Sequence, residues 1–294
     1  MQLRYLKTFA AVADTLNITR AAEQVHLSQS SVSEQIQLLE ADLGTPLFDR
    51  SQRRLKLTPA GERLLDYAGE LLDLAEEARS AVATLSGTVS GRLRVGGLET
   101  LCAARLPELL AEYRREYPKV ELSLKSANSG QLRSGMKSGE LDVSFFFGEA
   151  VATAEMASEQ VAQEGLVVIA PADHRLAGCE SVDTGDLIDD AFLVTERGCV
   201  YRRMFDAAFA ATLPDRPRLV GEFASLAAIR SLVGAGLGCA LVPRLVVPEG
   251  ERDVVVLPWK DKSRAAPVLM AWRRRRIQPP PLSAFLAVAR RHFA

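Results

Sequence analysis

Thr58-Pro59 opens a helical run that continues to Leu85, and this run argues against a single compact domain. Threonine is a good N-cap, and proline suits the first helical position because its missing N–H has no intrahelical partner there anyway. Leu64, Ala68, Leu71, Ala75, Ala78, Val82 and Leu85 follow, spaced alternately by four and three. That is a heptad seam held for three heptads. Leu65 and Leu72 form a second stripe, expected to pack on the preceding block. Six acids (Glu62, Asp66, Glu70, Asp73, Glu76, Glu77) outnumber two basic residues (Arg63, Arg79) on this helix. A core helix normally carries a wider apolar face. The expectation is a connector over 59–91 through which two chains pair, ending in the hinge Ser86-Gly87-Thr88-Val89-Ser90-Gly91.

Residues 1–58 read as short helices. Leu3, Leu6, Phe9, Ala10, Ala13 and Leu16 mark one helix face. Thr19 is placed as the N-cap of a second helix carrying Ala21, Ala22 and Val25, and Ser28 as the N-cap of a third with Val32, Ile36 and Leu39 facing inward. The outer face of the third helix is Gln29, Ser30, Ser31, Ser33, Glu34, Gln35 and Gln37. Amide and hydroxyl side chains this dense reach base edges in a major groove without leaving an unpaired charge. Two helices, a tight turn and a polar third helix make helix-turn-helix geometry, with the third helix as reader. Leu47-Phe48 and Leu55-Lys56-Leu57-Thr58 then read as the strands of a hairpin whose tip holds Arg50, Arg53 and Arg54, a wing suited to phosphates or a minor groove. The plainer reading is a solvated polar face and a solvated basic loop, but the two features lie within one short stretch, which favours DNA.

The string Ala21-Ala22-Glu23, Leu27-Ser28-Gln29-Ser30-Ser31-Val32-Ser33, Ile36, Leu39-Glu40, Leu43-Gly44, Leu47-Phe48, Arg50 and Leu57-Thr58-Pro59-Ala60-Gly61 resembles the LysR-type transcriptional regulators. The match runs ungapped through residues 1–58. The resemblance implies a winged helix-turn-helix, a linker helix that dimerises, and a two-lobed effector domain similar to type 2 periplasmic binding proteins. It also implies a double-stranded DNA operator, a small-molecule effector and assembly of dimers into tetramers. Ser30 stands where the family often has proline, and Glu34 puts an acid on the reading helix.

From Arg92 onward, strand and helix patterns alternate, so the chain is α/β behind a helical winged domain. The effector domain is expected over 92–294, with one lobe near 92–161 and 268–294 and the other near 162–267. A largely parallel, Rossmann-like sheet is expected in each lobe, with ligands at the strand C-termini. Glu99 and Thr100 follow the first strand, and Ser126, Asn128 and Ser129 the second. In the second lobe the equivalent turns hold Cys199 and Arg202, then Phe223 and Ser225. Arg202 suits a bidentate grip on a carboxylate. Thr100, Ser129 and Ser225 read equally well as helix caps. An organic acid is the expected effector, while Glu99 favours an amino acid or an amine.

Hydrophobic residues make up 48% of the 294 residues, charged residues 25%, and the net charge is -1, so nucleic-acid affinity has to come from a local patch. Neither a signal peptide nor a membrane span is expected, and the chain reads as cytoplasmic. Cys102, Cys179, Cys199 and Cys239 are scattered, and His26, His174 and His292 lie far apart, so no disulfide framework, metal site or cofactor is expected. Gly234-Ala235-Gly236-Leu237-Gly238 follows a helix and precedes a strand, the reverse of a dinucleotide fingerprint. With His174 read as part of a surface turn, no catalytic set emerges. An alternative reading makes Cys199, flanked by Arg197, Arg202 and Arg203, a thiol redox sensor with Cys179 as its resolving partner. The run Arg273 to Arg276 is assigned no role.

Overall fold

Three helices, α1 (Leu3–Thr15), α2 (Ile18–Val25) and α3 (Gln29–Leu43), pack around Leu6, Phe9, Val12, Ala21, Val32, Ile36 and Leu39, all inaccessible to solvent. The computed structural model describes the chain apart from residues 50–54, 85–87, 149–152, 154, 211–215, 260–264 and 276, and apart from the side chains of residues 76, 77, 80, 83 and 84. Ser28 caps α3 as expected, its hydroxyl accepting from the Ser31 N–H. The cap of α2 is Asn17 rather than Thr19. The Asn17 Oδ1 accepts from the N–H groups of Thr19 and Arg20 at 2.9 and 3.1 Å, because a cap must precede the first turn whose donors it satisfies. Strands β1 (Phe48–Asp49) and β2 (Lys56–Leu57) pair antiparallel, with Phe48 opposite Leu57. The Phe48 ring meets Phe9 at 5.5 Å, which fastens the hairpin to the helices.

Helix α4 (Pro59–Thr84) starts at Thr58, whose hydroxyl accepts from the Gly61 N–H at 3.1 Å. Its seam differs from the one expected. Ala68 is buried in the winged-domain core, and Leu64, Leu71 and Leu72 pack against the same core. Leu65, expected to join them, is exposed. Tyr67, Leu74 and Val82 face outward at 56%, 60% and 68% exposure. The free stripe therefore runs through Tyr67, Leu74, Ala78 and Ala81, with half-buried Leu71 at its border. It shares Ala78 with the expected seam and is centred about 60° around the helix from it. Leu85 lies outside the described residues.

The effector domain begins at β3 (Gly91–Gly97), followed by α5 (Glu99–Ala104), α6 (Leu106–Glu116), β4 (Val120–Ser126), α7 (Ser129–Ser138), β5 (Val143–Phe147) and β6 (Met156–Glu164). The chain crosses at Gly165 into β7 (Leu166–Pro171), β8 (Ala191–Thr195), α8 (Val200–Ala208), β9 (Arg218–Phe223), α9 (Leu226–Gly234), β10 (Ala240–Pro243) and β11 (Val254–Leu257). It returns as β12 (Ala266–Arg273) and α10 (Pro280–Phe293). The first lobe's sheet has the order β4-β3-β5-β12-β6. In the second lobe β8 pairs with β9 and β7 sits between β10 and β11, while the Phe192–Cys239 bridge brings β10 beside β8.

The sheets are less uniformly parallel than expected. β3 runs parallel to β4 and β5, but β12 is antiparallel to both β5 and β6. In the second lobe β8 is parallel to β9, but β7 is antiparallel to both β10 and β11. In each lobe the reversed strand is the one by which the chain enters from the other lobe, so the two crossings impose the reversals. α6 and α10 cover the first sheet, where Tyr113, Phe145 and Phe285 are fully buried. The Tyr113 hydroxyl donates to the Pro281 carbonyl at 2.8 Å.

Candidate functional site

The polar side of α3 divides in two. Gln29, Ser30, Glu34 and Gln37 are exposed, and Ser31, Ser33 and Gln35 are half-buried. The Ser28 hydroxyl lies 2.9 Å from that of Ser30 and 2.8 Å from that of Ser31, so the first turn of α3 carries a linked hydroxyl cluster. Gln35 points back at α1, where its Oε1 accepts from the Thr8 hydroxyl at 2.7 Å. Its carbonyl thus holds two helices together, a correction to its reading as a base contact. Gln37 is exposed on the same stripe, four residues after Ser33. Glu40 fixes the wing, its Oε1 accepting from the N–H groups of Leu47 at 2.8 Å and Phe48 at 3.2 Å. Arg50, Arg53 and Arg54 fall between β1 and β2 in the sequence and lie outside the described residues. Lys56, on β2, is exposed.

The second candidate region lies where the lobes meet. The Tyr201 hydroxyl, at the start of α8, is hydrogen-bonded to the Thr100 hydroxyl on α5 at 2.6 Å. The Tyr201 ring meets Phe147 edge-on at 5.9 Å, and Val200 is buried in the first lobe's core. Burial raises the Tyr201 phenol above its usual range; the Thr100 hydrogen bond opposes this, and Cys199, Glu99 and Cys102 add to it. Tyr201 is therefore a neutral hydroxyl, paired with that of Thr100. Tyr201 is not among the residues singled out from the sequence, where the charged neighbour Arg202 was.

That neighbour is a correction. Arg202 is only 6% exposed and points into the second lobe. Its Nη1 donates to Glu222 Oε1 at 2.7 Å and to the Thr195 carbonyl at 3.4 Å, and its Nε reaches Asp206 at 3.3 Å. A guanidinium so engaged ties α8 to β8 and β9 and is not open to a ligand carboxylate. Asn128 is also committed, since it forms a capping box with Gln131 at the start of α7. Ser129 is the first residue of that helix, so the cap is Asn128. Ser126 is exposed at the end of β4, tied to the end of β3 by the bond from the Ala127 N–H to the Gly97 carbonyl. Phe223 is half-buried at the end of β9, opposite Thr195. Ser225 occupies the N-cap position of α9 without a capping bond, as Cys199 does for α8.

His174 is not a surface residue. Its ring is 11% exposed, with Nε2 at 3.3 Å from Asp190 Oδ1 and 3.5 Å from the Cys239 sulfur. Nδ1 accepts from the Leu176 N–H at 3.3 Å. A relay needs the acid on one ring nitrogen and the nucleophile on the other. Here both meet Nε2, and burial, with Asp190 adding to it and Arg175 opposing, pushes the Cys239 thiol up to about 12. Burial together with Glu99 pushes Cys102 up to about 11. Thiols held that high are about 0.1% thiolate or less at pH 8. Iodoacetamide at that pH should label exposed Cys179 first and leave Cys102 and Cys239 unmodified, read by peptide mass spectrometry. Early labelling of Cys102 would contradict this packing. Among the described residues no cluster of metal-ligand side chains occurs, and no helix is long and apolar enough to cross a membrane.

Residues 3–62 match the family described as bacterial regulatory helix-turn-helix protein, lysR family, and residues 86–294 match the LysR substrate binding domain. The HTH-type transcriptional regulator GltR of Bacillus subtilis (strain 168) is 34% identical over 298 residues, which cover 100% of this chain and 97% of the relative. Full-length CbnR in complex with its target DNA is 26% identical with a TM-score of 0.72, covering 99% of this chain and 100% of that one. A full-length OxyR variant from Pseudomonas aeruginosa is 26% identical with a TM-score of 0.76, covering 100% and 94%. With both of its parts matched in order along the sequence, the chain belongs to the LysR family of transcriptional regulators.

Proposed function

We propose that the chain is a dimeric, cytoplasmic regulator that reads operator DNA with α3 and its wing, under the control of a small molecule held between the lobes. The observation that carries this reading is the exposed amide and hydroxyl stripe of α3, capped by Ser28 and standing beside the hairpin that Glu40 anchors. Among its relatives, CbnR has been seen on its target DNA. Gln29, Ser30, Ser33 and Gln37 meet base edges, while Arg50, Arg53, Arg54 and Lys56 meet phosphates. Gln29→Ala should cost about 1–3 kcal/mol of operator binding and relax sequence preference. Arg53→Ala should weaken binding to all sequences alike and lower the salt slope by about one. An unchanged slope in an anisotropy titration would remove Arg53 from the interface.

The dimer forms along the free stripe of α4, which lines an apolar groove of about 940 Å³ with Ile277, Pro279 and Pro280. Leu74→Glu places a charge in that seam and should shift the chain to monomers in sedimentation velocity. A variant that still sediments as a dimer would move the interface elsewhere. Pairing of dimers into tetramers would appear in the same runs as a heavier boundary.

In the cleft, Thr100 and Tyr201 spend their hydroxyls on each other. An organic acid, amino acid or amine would take over those bonds beside Glu99, Ser126 and Ser225. A thiol switch at Cys199 is the alternative, with Cys199 half-buried at the N-cap of α8 and Cys179 exposed, while Cys102 and Cys239 are held protonated and take no part. The histidine cluster gives no relay, and no enzymatic turnover is expected.

A further inference from the structure

Of the run Arg273 to Arg276, the described residues Arg273, Arg274 and Arg275 belong to neither the reading head nor the cleft. Arg273 closes β12 and its Nη2 lies 3.4 Å from Glu70 Oε1 on α4. Arg274 is held along the start of β6, its N–H donating to the Glu155 carbonyl at 2.7 Å and its Nε to the Met156 carbonyl at 3.3 Å. Arg275 is partly buried within the field of Asp73 and Glu70. Beside them, Arg94 of β3 donates from Nη2 and Nη1 to Asp73 of α4 at 2.9 and 3.4 Å. The same guanidinium reaches Asp142 at 3.1 and 2.9 Å through Nε and Nη2. The backbones of Arg94 and Asp142 are joined as well, since the Arg94 N–H donates to the Asp142 carboxylate and the Asp142 N–H to the Arg94 carbonyl. Gly139 has φ +79, and a Cβ there would lie 3.6 Å from the Asp73 carboxylate.

Arg94 and Asp142 sit at the start of two paths. From Arg94, β3 runs on to Gly97 and leads into the first turn of α5, which carries Thr100, while Asp142 immediately precedes β5, which ends at Phe147. Both paths end on Tyr201, through the hydroxyl bond to Thr100 and the ring contact with Phe147. Each path is five or six residues long and mostly extended strand. A push from the second lobe at Tyr201 thus meets the two strands that hold the linker helix. We propose that the docking of Glu70 and Asp73 onto Arg273 and Arg94 is the joint through which lobe movement sets the angle of the DNA-binding arm. This rests on reading the lobe interface as the effector site. Each pair is partly exposed, so the joint yields to salt and to charge reversal while the domains on either side stay folded.

The test uses the full-length protein in solution scattering, from about 50 mM to 1 M salt. Wild type should expand as salt rises with its far-ultraviolet dichroism unchanged. Asp73→Lys should be expanded from the lowest salt onward, and Asp73→Asn should expand at lower salt than wild type. On DNA upstream of the gene, Asp73→Lys should keep its protection of one half-site and shift that of the other, altering the spacing between them. Scattering that ignores both salt and Asp73→Lys would overturn the joint. Expansion without any change in spacing would overturn its role in transmission. Because wild-type salt dependence is read without substitution, a variant that misfolds leaves the test intact. Loss of wild-type DNA protection would instead sink the regulatory reading, with scattering still deciding the joint.

Discussion

Gly61→Ala should unfold much of the reading head's stability margin and with it operator binding. A Cβ at position 61 would lie 2.2 Å from the Leu47 carbonyl oxygen, and that oxygen is already fixed as acceptor for the Thr58 N–H at 2.9 Å. Alanine improves helix propensity over glycine by about 1 kcal/mol. Forcing a methyl group against backbone costs about 3 kcal/mol, so the clash wins by about 2 kcal/mol. A domain of this size has only about 3–9 kcal/mol in total. The winged-domain transition should fall by about 8–16 °C in calorimetry. Gly69, on the same helix, has nothing within 4 Å of its would-be Cβ, so Gly69→Ala should stabilise by about 1 kcal/mol. If both variants melt alike, the close approach of α4 to the hairpin is not as described.

Phe285→Ala should be as damaging to the other half of the molecule. The Phe285 ring is fully buried on α10, edge-on to Tyr113 at 5.2 Å and to Phe145 at 6.2 Å. Removing it deletes both ring contacts and leaves a cavity between the last helix and the first lobe's sheet, a loss of about 3–5 kcal/mol. The effector-domain transition should drop by at least about 6 °C, with the winged-domain transition unmoved. A shift of both transitions together would mean the two domains unfold as one unit.

What the sequence revealed followed the range of the interactions. Ser28 and Thr58 were legible as caps because each bonds to an N–H three residues on. The polar stripe of α3 and the alternating strands were legible for the same reason, since periodicity is local. Gln35 and Arg202 were not, because their partners lie elsewhere in the chain: Thr8 on α1 for one, Glu222 on β9 for the other. The α4 seam failed for a different reason. Two stripes on that helix satisfy the same four-three spacing, and only the winged domain's claim on Ala68 decides which is free. Tyr201 was masked by the arginine next to it, because its partners Thr100 and Phe147 lie in the other lobe. The buried His174 cluster depends on Asp190 and Cys239, brought in by other segments, and sequence distance hid it.

The most direct test of the central claim is a footprint of the purified wild-type chain on the DNA upstream of its gene, titrated with salt. The account predicts two protected half-sites in register with the helical repeat, and a log affinity that falls linearly with log salt. A chain that protects no bases at low salt, or binds with no dependence on salt, would contradict it.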